Sequence, residues 1–221
     1  METLGERLQA VRVRMARAAE RARRDPAGIL LLAVTKIFPA DVIREAYGLG
    51  LRDFGENYVQ EFEGKAPRVK ALEGARFHLI GHLQSNKAKK AAELFNVIHT
   101  VDSAKLARRL DDTGTPLDVL IEVKLSHEES KSGADSAEIE GIVEAAREAK
   151  HLRLTGLMTV PPWSEDAELS RPYFARLRAM AERFQLPELS MGMSNDMEVA
   201  IEEGATWVRV GTALFGRRIK T

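Results

Sequence analysis

The sequence contains no cysteine, which excludes disulfide bonds and metal sites built from thiolates. It also lacks net charge, because 33 lysines and arginines balance 33 aspartates and glutamates, so no overall basic field would attract nucleic acid. No apolar run approaches the roughly 20 residues that a membrane span needs. The N-terminal stretch 1–24 is charged throughout, unlike a signal peptide. We therefore expect a cytoplasmic protein that binds neither nucleic acid nor membranes.

The chain contains short apolar runs that alternate with amphipathic helical patterns. An N-terminal helix is predicted within 1–24, and Pro67 is predicted to break the helix over 59–72. Eight strands are predicted, at 29–36, 52–58, 76–81, 97–101, 117–125, 152–160, 189–193 and 207–211. This alternation predicts an α/β fold, a single-domain (β/α)₈ TIM barrel over 29–216 with an additional N-terminal helix. A doubly wound open sheet is the alternative, but no Gly-x-Gly-x-x-Gly follows the first strand.

The first predicted strand ends in a lysine. Period-two geometry places Lys36 on the same face as Leu32 and Val34, at the carboxyl end of the strand, where barrels carry their chemistry. Apolar neighbours lower the pKa of a lysine and make it a candidate Schiff-base nucleophile. A lysine at a strand end can equally bury its stem and keep its ammonium in water. The strand by itself is compatible with both interpretations.

The loops after the seventh and eighth strands carry small residues that can donate hydrogen bonds. Barrels typically bind phosphate at these two loops. Ser194 or Asn195 is placed to cap the helix after strand seven, and Gly211 and Thr212 follow strand eight. Helix capping and an ordinary turn would explain either loop alone, but they explain the pair less well. Ser194, Gly211 and Thr212 therefore predict an anion cradle of the phosphate type.

Arg209 lies in the eighth predicted strand and should be buried whichever face it occupies. A buried guanidinium needs an acceptor. An interior glutamate such as Glu56 or Glu122 is one candidate, and a ligand heteroatom near the barrel mouth is the other.

A lysine, a phosphate cradle and a buried arginine at one barrel mouth suggest pyridoxal 5′-phosphate. Lys36 would form the imine and Arg209 would face the pyridine nitrogen. Because arginine does not release its proton, it would keep that nitrogen unprotonated and weaken the ring as an electron sink. A phosphate-binding class I aldolase also uses a lysine in a barrel, and without the arginine it would be an equal alternative.

Six segments resemble the pyridoxal phosphate homeostasis proteins, in order over nearly the whole chain. They are Ala-Val-Thr-Lys at 33–36, Phe-Gly-Glu-Asn-Tyr at 54–58, His-Leu-Ile-Gly-His-Leu-Gln-Ser-Asn-Lys at 78–87, Gly-Leu-Met at 156–158, Leu-Ser-Met-Gly-Met-Ser at 189–194 and Val-Arg-Val-Gly-Thr-Ala-Leu-Phe-Gly at 208–216. The resemblance implies a barrel like the N-terminal domain of alanine racemase, without the second, β-rich domain of that enzyme.

The resemblance also implies which residues bind the cofactor. Lys36 would hold pyridoxal 5′-phosphate as a Schiff base, and Arg209 would lie near the pyridine nitrogen. The other implied cofactor-binding residues are Asn57, Met191, Met193, Ser194, Gly211 and Thr212. The segment 131–133 is similar to a mobile loop of the family. No metal is implied, and the motif at 78–87 has no assigned mechanism, so a structural network is at least as plausible there as ligand contact.

Two functions from different classes remain. The first is a non-enzymatic carrier that buffers the cofactor, delivers it to apo-enzymes, and is a monomer by default. The second is a small amino-acid racemase, which would need a second acid or base on the opposite face of the substrate. In racemases this is usually a tyrosine from another domain, and here only Tyr58 could reach the mouth, because Tyr47 and Tyr173 fit packing positions. We favour the carrier, with no catalytic residues.

Overall fold

The computed structural model describes residues 2–126 and 132–216, which contain a closed barrel of parallel strands in chain order. The strands are β1 (Leu30–Val34), β2 (Asp53–Glu56), β3 (Arg76–Leu79), β4 (Val97–Val101), β5 (Leu117–Glu122), β6 (Leu152–Met158), β7 (Glu188–Met193) and β8 (Trp207–Val210). Because β1 pairs with both β2 and β8, the sheet closes on itself. The predicted (β/α)₈ barrel is confirmed.

Helices cover the outside of the barrel. They are α1 (Leu4–Arg21), α2 (Ala40–Gly48), α3 (Val59–Val69), α4 (Ala88–Leu94), α5 (Ala104–Asp111), α6 (Ile139–Glu148), α7 (Arg171–Arg183), α8 (Met197–Glu202) and α9 (Thr212–Phe215). Short 3-10 turns precede α4 and α7. The sequence analysis did not predict α9, because its four residues are too few to show a periodic pattern.

The additional N-terminal helix is present and has a defined start. Thr3 and Glu6 form a capping box, in which each side chain accepts from the other residue's backbone N–H. One face of α1 buries Leu8 and Val11 against α8 and α9. This helix therefore covers the side of the barrel where β8 meets β1.

Two predicted boundaries were wrong. Pro67 does not break α3, which continues to Val69, because a proline this close to the end of a helix removes only one of its last hydrogen bonds. Strand β1 ends at Val34, so Lys36 lies in the turn that follows and not on the strand itself. The turn forms where the Phe38 N–H donates to the Thr35 carbonyl at 3.1 Å.

The two faces of the strands have different chemistry. Side chains such as Phe54, Phe77 and Val208 join the apolar core between the barrel and the helices. The lumen is mixed, with buried polar side chains such as His78 and Arg209 beside apolar ones such as Leu32. At the amino-terminal end of the strands, Asp118 accepts from Arg153 at 2.7 Å and from Arg76 at 3.2 Å. We call these three residues the floor, and the opposite, carboxyl end of the barrel is the mouth.

Candidate functional site

A cavity of about 360 Å³ opens at the mouth, within the usual size range of small-molecule sites. Its walls come from the ends of β1, β7 and β8 and from the loops that follow β1, β2, β3, β6, β7 and β8. The lining residues are Val34, Lys36, Asn57, Ile80, Val160, Pro162, Trp163, Ser164, Met193, Ser194, Asn195, Asp196, Arg209, Gly211 and Thr212. A larger groove of about 810 Å³ lies on the outer surface, but helices and loops alone line it. The mouth cavity is therefore the candidate site.

The turn that carries Lys36 is strained. Lys36 is half-buried, and the next residue, Ile37, has a φ of +66°, a conformation that β-branched side chains rarely adopt. The Ile37 N–H donates to a carboxylate oxygen of Glu61 on α3. Strain of this kind persists only where surrounding contacts over-determine the backbone. Glu61 supplies one of those contacts.

A buried charge cluster lies directly behind this turn. The Lys65 ammonium donates to the Thr35 carbonyl and to both carboxylate oxygens of Glu56, each at 3.0 Å, and it lies 2.6 Å from Glu61. The Thr35 hydroxyl donates to Glu56 at 2.8 Å. Burial raises the pKa of Glu56, while the charge of Lys65 opposes that rise. The cluster thus holds the backbone on both sides of Lys36.

Arg209 is buried at the base of the cavity. One guanidinium nitrogen donates to the Ser190 carbonyl at 2.6 Å and to the Ser190 hydroxyl at 2.8 Å, and the other donates to the Thr159 carbonyl at 2.8 Å. Burial lowers the pKa of Arg209 to about 10, so the side chain still carries its charge at neutral pH.

Neither glutamate suggested by the sequence accepts a hydrogen bond from Arg209 in the described part of the chain. Glu56 points to the helix side and pairs with Lys65, because strand alternation turns it away from the lumen. Glu122 is near enough for the Arg209 charge to oppose the rise in its pKa, which burial nevertheless takes to about 7. Its Oε2 atom is buried without a hydrogen-bond partner among the described residues.

The loops after β7 and β8 meet at Ser194, whose hydroxyl accepts from the Ala213 N–H at 3.2 Å in the first turn of α9. This contact puts Ser194 beside Gly211 and Thr212 in the cavity wall. The prediction that Ser194 or Asn195 caps the next helix was wrong. Helix α8 begins at Met197 after Asp196, whose carboxylate instead accepts from the Met193 N–H at 2.7 Å.

The side-chain oxygen of Asn57 can accept a hydrogen bond that no described residue donates. This Oδ1 atom is buried and has no hydrogen-bond partner within the described ranges. The backbone here is tightly held, since a Cβ added to Gly81 would lie 2.2 Å from the Asn57 carbonyl oxygen. Only glycine at position 81 allows the two loops to approach this closely. A buried acceptor left open beside a cavity is suited to a ligand donor.

The structure brings together seven of the eight residues that the sequence singled out: Lys36, Asn57, Met193, Ser194, Arg209, Gly211 and Thr212. Met191 does not reach the cavity. It lies fully buried in the apolar core outside the barrel, because strand alternation points it away from the lumen face that Ser190 occupies. Sequence analysis missed Ser190 and Thr159, which hold Arg209. A polar residue within an apolar strand was the signal available for Ser190, whereas Thr159 acts through its backbone carbonyl, for which the sequence carries no signal.

The remaining motifs lie elsewhere. His78 is buried in the lumen, whereas Gln84 and Lys87 line a neighbouring groove that also contains Tyr58. Lys131 of the predicted mobile loop lies outside the described residues. The described residues contain no cluster of metal-ligating side chains. None of the helices in the described ranges combines the length and apolar character that a membrane span requires.

Comparisons with known proteins show which family the chain resembles. Residues 7–218 match the family model described as the alanine racemase N-terminal domain. The chain is 46% identical over 224 residues to the pyridoxal phosphate homeostasis protein of Pseudomonas aeruginosa, covering 99% of this chain and 97% of the relative.

Solved structures of other proteins also superimpose on this chain. PipY of Synechococcus elongatus, determined with PLP bound, superimposes with a TM-score of 0.85 at 40% identity, covering 97% of this chain and all of that one. Alanine racemase from Corynebacterium glutamicum matches with a TM-score of 0.67 at 20% identity, covering 97% of this chain and 62% of the racemase. This second likeness concerns the barrel fold alone.

Proposed function

The chain belongs to the family of pyridoxal phosphate homeostasis proteins, and from this premise we propose that it binds pyridoxal 5′-phosphate at the barrel mouth through a Schiff base with Lys36. The observation that carries the proposal is that one cavity gathers a lysine, an anion cradle and a charged arginine. In this proposal the protein acts in cofactor homeostasis as a carrier and buffer.

The residues present fit this cofactor. Ser194, Gly211 and Thr212 form a compact group of donors at the start of α9, suited to a phosphate. The open Oδ1 of Asn57 offers an acceptor to a hydroxyl of the ring. Val34 and Met193 supply apolar walls for the ring faces.

Lys36 supplies the primary amine. Pyridoxal phosphate contributes an aldehyde that condenses reversibly with such an amine. The chain's part is to present Lys36 to the cavity from a turn held by Glu61 and Lys65. A fixed turn reduces the conformational freedom that the lysine would lose on binding.

Arg209 limits what chemistry the site supports. The guanidinium donates but cannot accept a hydrogen bond, and it retains its proton at neutral pH. A pyridine nitrogen facing it would remain unprotonated, which weakens the electron withdrawal that carbanion chemistry needs. This favours storage of the cofactor over turnover.

The racemase alternative has a weaker basis in this fold. Tyr58 is 59% exposed and lines the neighbouring groove, not the cavity. The Tyr47 hydroxyl donates to the Glu73 carbonyl, and Tyr173 packs against the apolar core.

A carrier needs no second acid or base, and a cavity that is open to solvent allows the cofactor to enter and leave. Transfer to apo-enzymes at this mouth is part of the proposal.

Borohydride reduction of the protein loaded with pyridoxal phosphate tests the proposal. Reduction should fix the cofactor covalently at one lysine, and peptide mapping should identify Lys36. Lys36→Ala should lose the label almost completely, whereas Lys87→Ala, a lysine of the neighbouring groove, should keep it.

Label on Lys87 instead would overturn the site. Racemisation of any common amino acid at rates typical of enzymes, about 1–1,000 per second, would overturn the carrier role.

A further inference from the structure

A continuous chain of hydrogen bonds crosses the barrel lumen and ends on Arg209. His78 Nε2 lies 2.9 Å from Asp53 Oδ1, and His78 Nδ1 lies 2.9 Å from His99 Nε2. His99 Nδ1 lies 2.9 Å from the Ser190 hydroxyl, which accepts from Arg209 at 2.8 Å. We call Asp53, His78, His99 and Ser190 the lumen relay. Four strands contribute one residue each.

Asp53 at one end of the relay and Arg209 beyond the other end determine the direction of every hydrogen bond between them. Arg209 can only donate, and a carboxylate can only accept. With both imidazoles neutral, Ser190 must donate to His99 Nδ1, and His99 must donate from Nε2 to His78. His78 then donates from its own Nε2 to Asp53. Both histidines are thereby held as the Nε2–H tautomer, and each polar group has a partner.

We propose that the lumen relay is a positioning device for Arg209, which couples the floor side of the barrel to the cofactor-binding mouth. The proposal rests on the proposed function, because Arg209 matters here as a cofactor-binding group. None of the four relay residues lines the cavity, so each would act through Arg209 and not on the ligand.

The surroundings of the imidazoles keep them neutral. Burial lowers the pKa of His78, against the opposing charges of Asp53 and Glu188, and it lowers the pKa of His99 well below its ordinary value. The positive charges of Arg76 and Arg209 act in the same direction as burial on His99. The two imidazoles that lie between Asp53 and Arg209 are therefore uncharged at neutral pH.

Reversal of the relay would loosen Arg209. If both imidazoles carried their protons on Nδ1, His78 would donate to His99, and His99 would donate to Ser190. The Ser190 hydroxyl would receive two donors and would have to turn its own proton elsewhere. Arg209 would keep the carbonyls of Ser190 and Thr159, so its position would weaken without being lost.

The first test uses the cofactor-free protein. The ¹⁵N imidazole spectra at pH 7 should show His78 and His99 as neutral Nε2–H tautomers, and assignment is simplest in a variant with His82, His127 and His151 replaced by asparagine. Asp53→Ala removes the acceptor of His78 Nε2, so the His78 ¹⁵N resonances should shift, while His99 keeps its Nε2–H form because Arg209 still fixes the bond direction through Ser190. An Nδ1–H form of either imidazole in the wild-type protein would overturn the relay.

The second test measures cofactor binding. Ser190→Ala removes the hydroxyl acceptor of Arg209 and should weaken pyridoxal phosphate binding by about tenfold, the typical effect of one hydrogen bond to a charged group. It should also shift the pH profile of the bound cofactor's absorption. Thr113→Val is the control, since the Thr113 hydroxyl donates to the Leu110 carbonyl at 2.7 Å at the end of α5, outside both the relay and the cavity.

The outcomes separate the two proposals. If wild-type protein fails to label at Lys36, the proposed function fails, while the tautomer measurement still decides the relay. If labelling succeeds but Ser190→Ala binds the cofactor as tightly as Thr113→Val does, with the same pH profile, the relay does not position Arg209.

Discussion

Carboxylate oxygens are paired at the floor of the barrel, whereas buried side-chain oxygens at the mouth lack a partner among the described residues. At the floor, Asp118 is paired with both Arg76 and Arg153. At the mouth, buried oxygens of Asn57 and Glu122 have no hydrogen-bond partner among the described residues. Native proteins seldom leave buried polar atoms open except where a ligand or function explains them. The floor therefore closes the barrel, and the mouth is arranged for something the chain itself does not supply.

The ion pairs at the two ends of the barrel also differ in their burial. The Lys65 cluster behind the mouth is buried, with Glu56 fully inaccessible and the Lys65 side chain 9% exposed. At the floor, the Arg153 side chain is 74% exposed. Breaking a buried pair leaves a charge without solvent, whereas breaking an exposed pair returns both groups to water. Three variants test this difference between the two ends.

The largest effect should come from Lys65→Ala. Removing the ammonium leaves Glu56 buried without its cation and releases the backbone carbonyl of Thr35, so we expect a loss of about 4 kcal/mol in unfolding free energy. The matched variant at the floor, Arg153→Ala, should cost less than about 1 kcal/mol. Urea denaturation measures both. Equal losses would show that the two ends do not differ in this respect.

A smaller effect should come from Glu122→Gln and should depend on pH. Burial raises the pKa of Glu122 from 4.5 to about 7, so between these values the folded state keeps a proton that the unfolded state has released. Wild-type stability should therefore fall as pH rises through this window, by about 3 kcal/mol in total. Glutamine does not titrate, so the variant should gain stability relative to wild type between pH 5 and pH 8. Parallel stability curves for the two proteins would contradict this account.

The smallest effect should come from Gly81→Ala, which places a Cβ 2.2 Å from the Asn57 carbonyl oxygen. The backbone must shift, at a cost of about 2 kcal/mol, and Asn57 should move with it and weaken cofactor binding. Gly156→Ala creates a comparable clash, 2.1 Å from the Glu188 carbonyl oxygen, away from the mouth. Gly156→Ala should lower the unfolding free energy by a similar amount but leave the affinity for the cofactor unchanged. If Gly81→Ala and Gly156→Ala lost the same affinity for the cofactor, the loss in Gly81→Ala could not be assigned to the displacement of Asn57.

Several features of the site followed from local sequence alone. The apolar run before Lys36 predicted a buried strand, and the position of that strand in the alternation put Lys36 at the mouth. Small residues after the last two strands predicted the meeting of Ser194 with Gly211 and Thr212. These features depend on strand periodicity and on the general geometry of barrels, both of which are visible in a single sequence.

Other features could not be predicted in this way. The face of each strand that points into the lumen depends on register, and an error of one position exchanges the two faces. For this reason Met191 was expected at the cavity but packs among the helices, and Glu56, one candidate partner of Arg209, pairs with Lys65 instead. The positive φ of Ile37 also has no sequence signal, because isoleucine is a residue that normally avoids it.

Patterns within short segments predict the number and order of the strands, the barrel, and the residue types at the mouth. The folded chain alone shows which of those residues share a cavity and what holds Arg209 in place. The partners of Arg209 come from positions 159 and 190, and the lumen relay joins residues from four strands. Contacts between segments so distant in the chain arise when the barrel closes, and no local pattern specifies them.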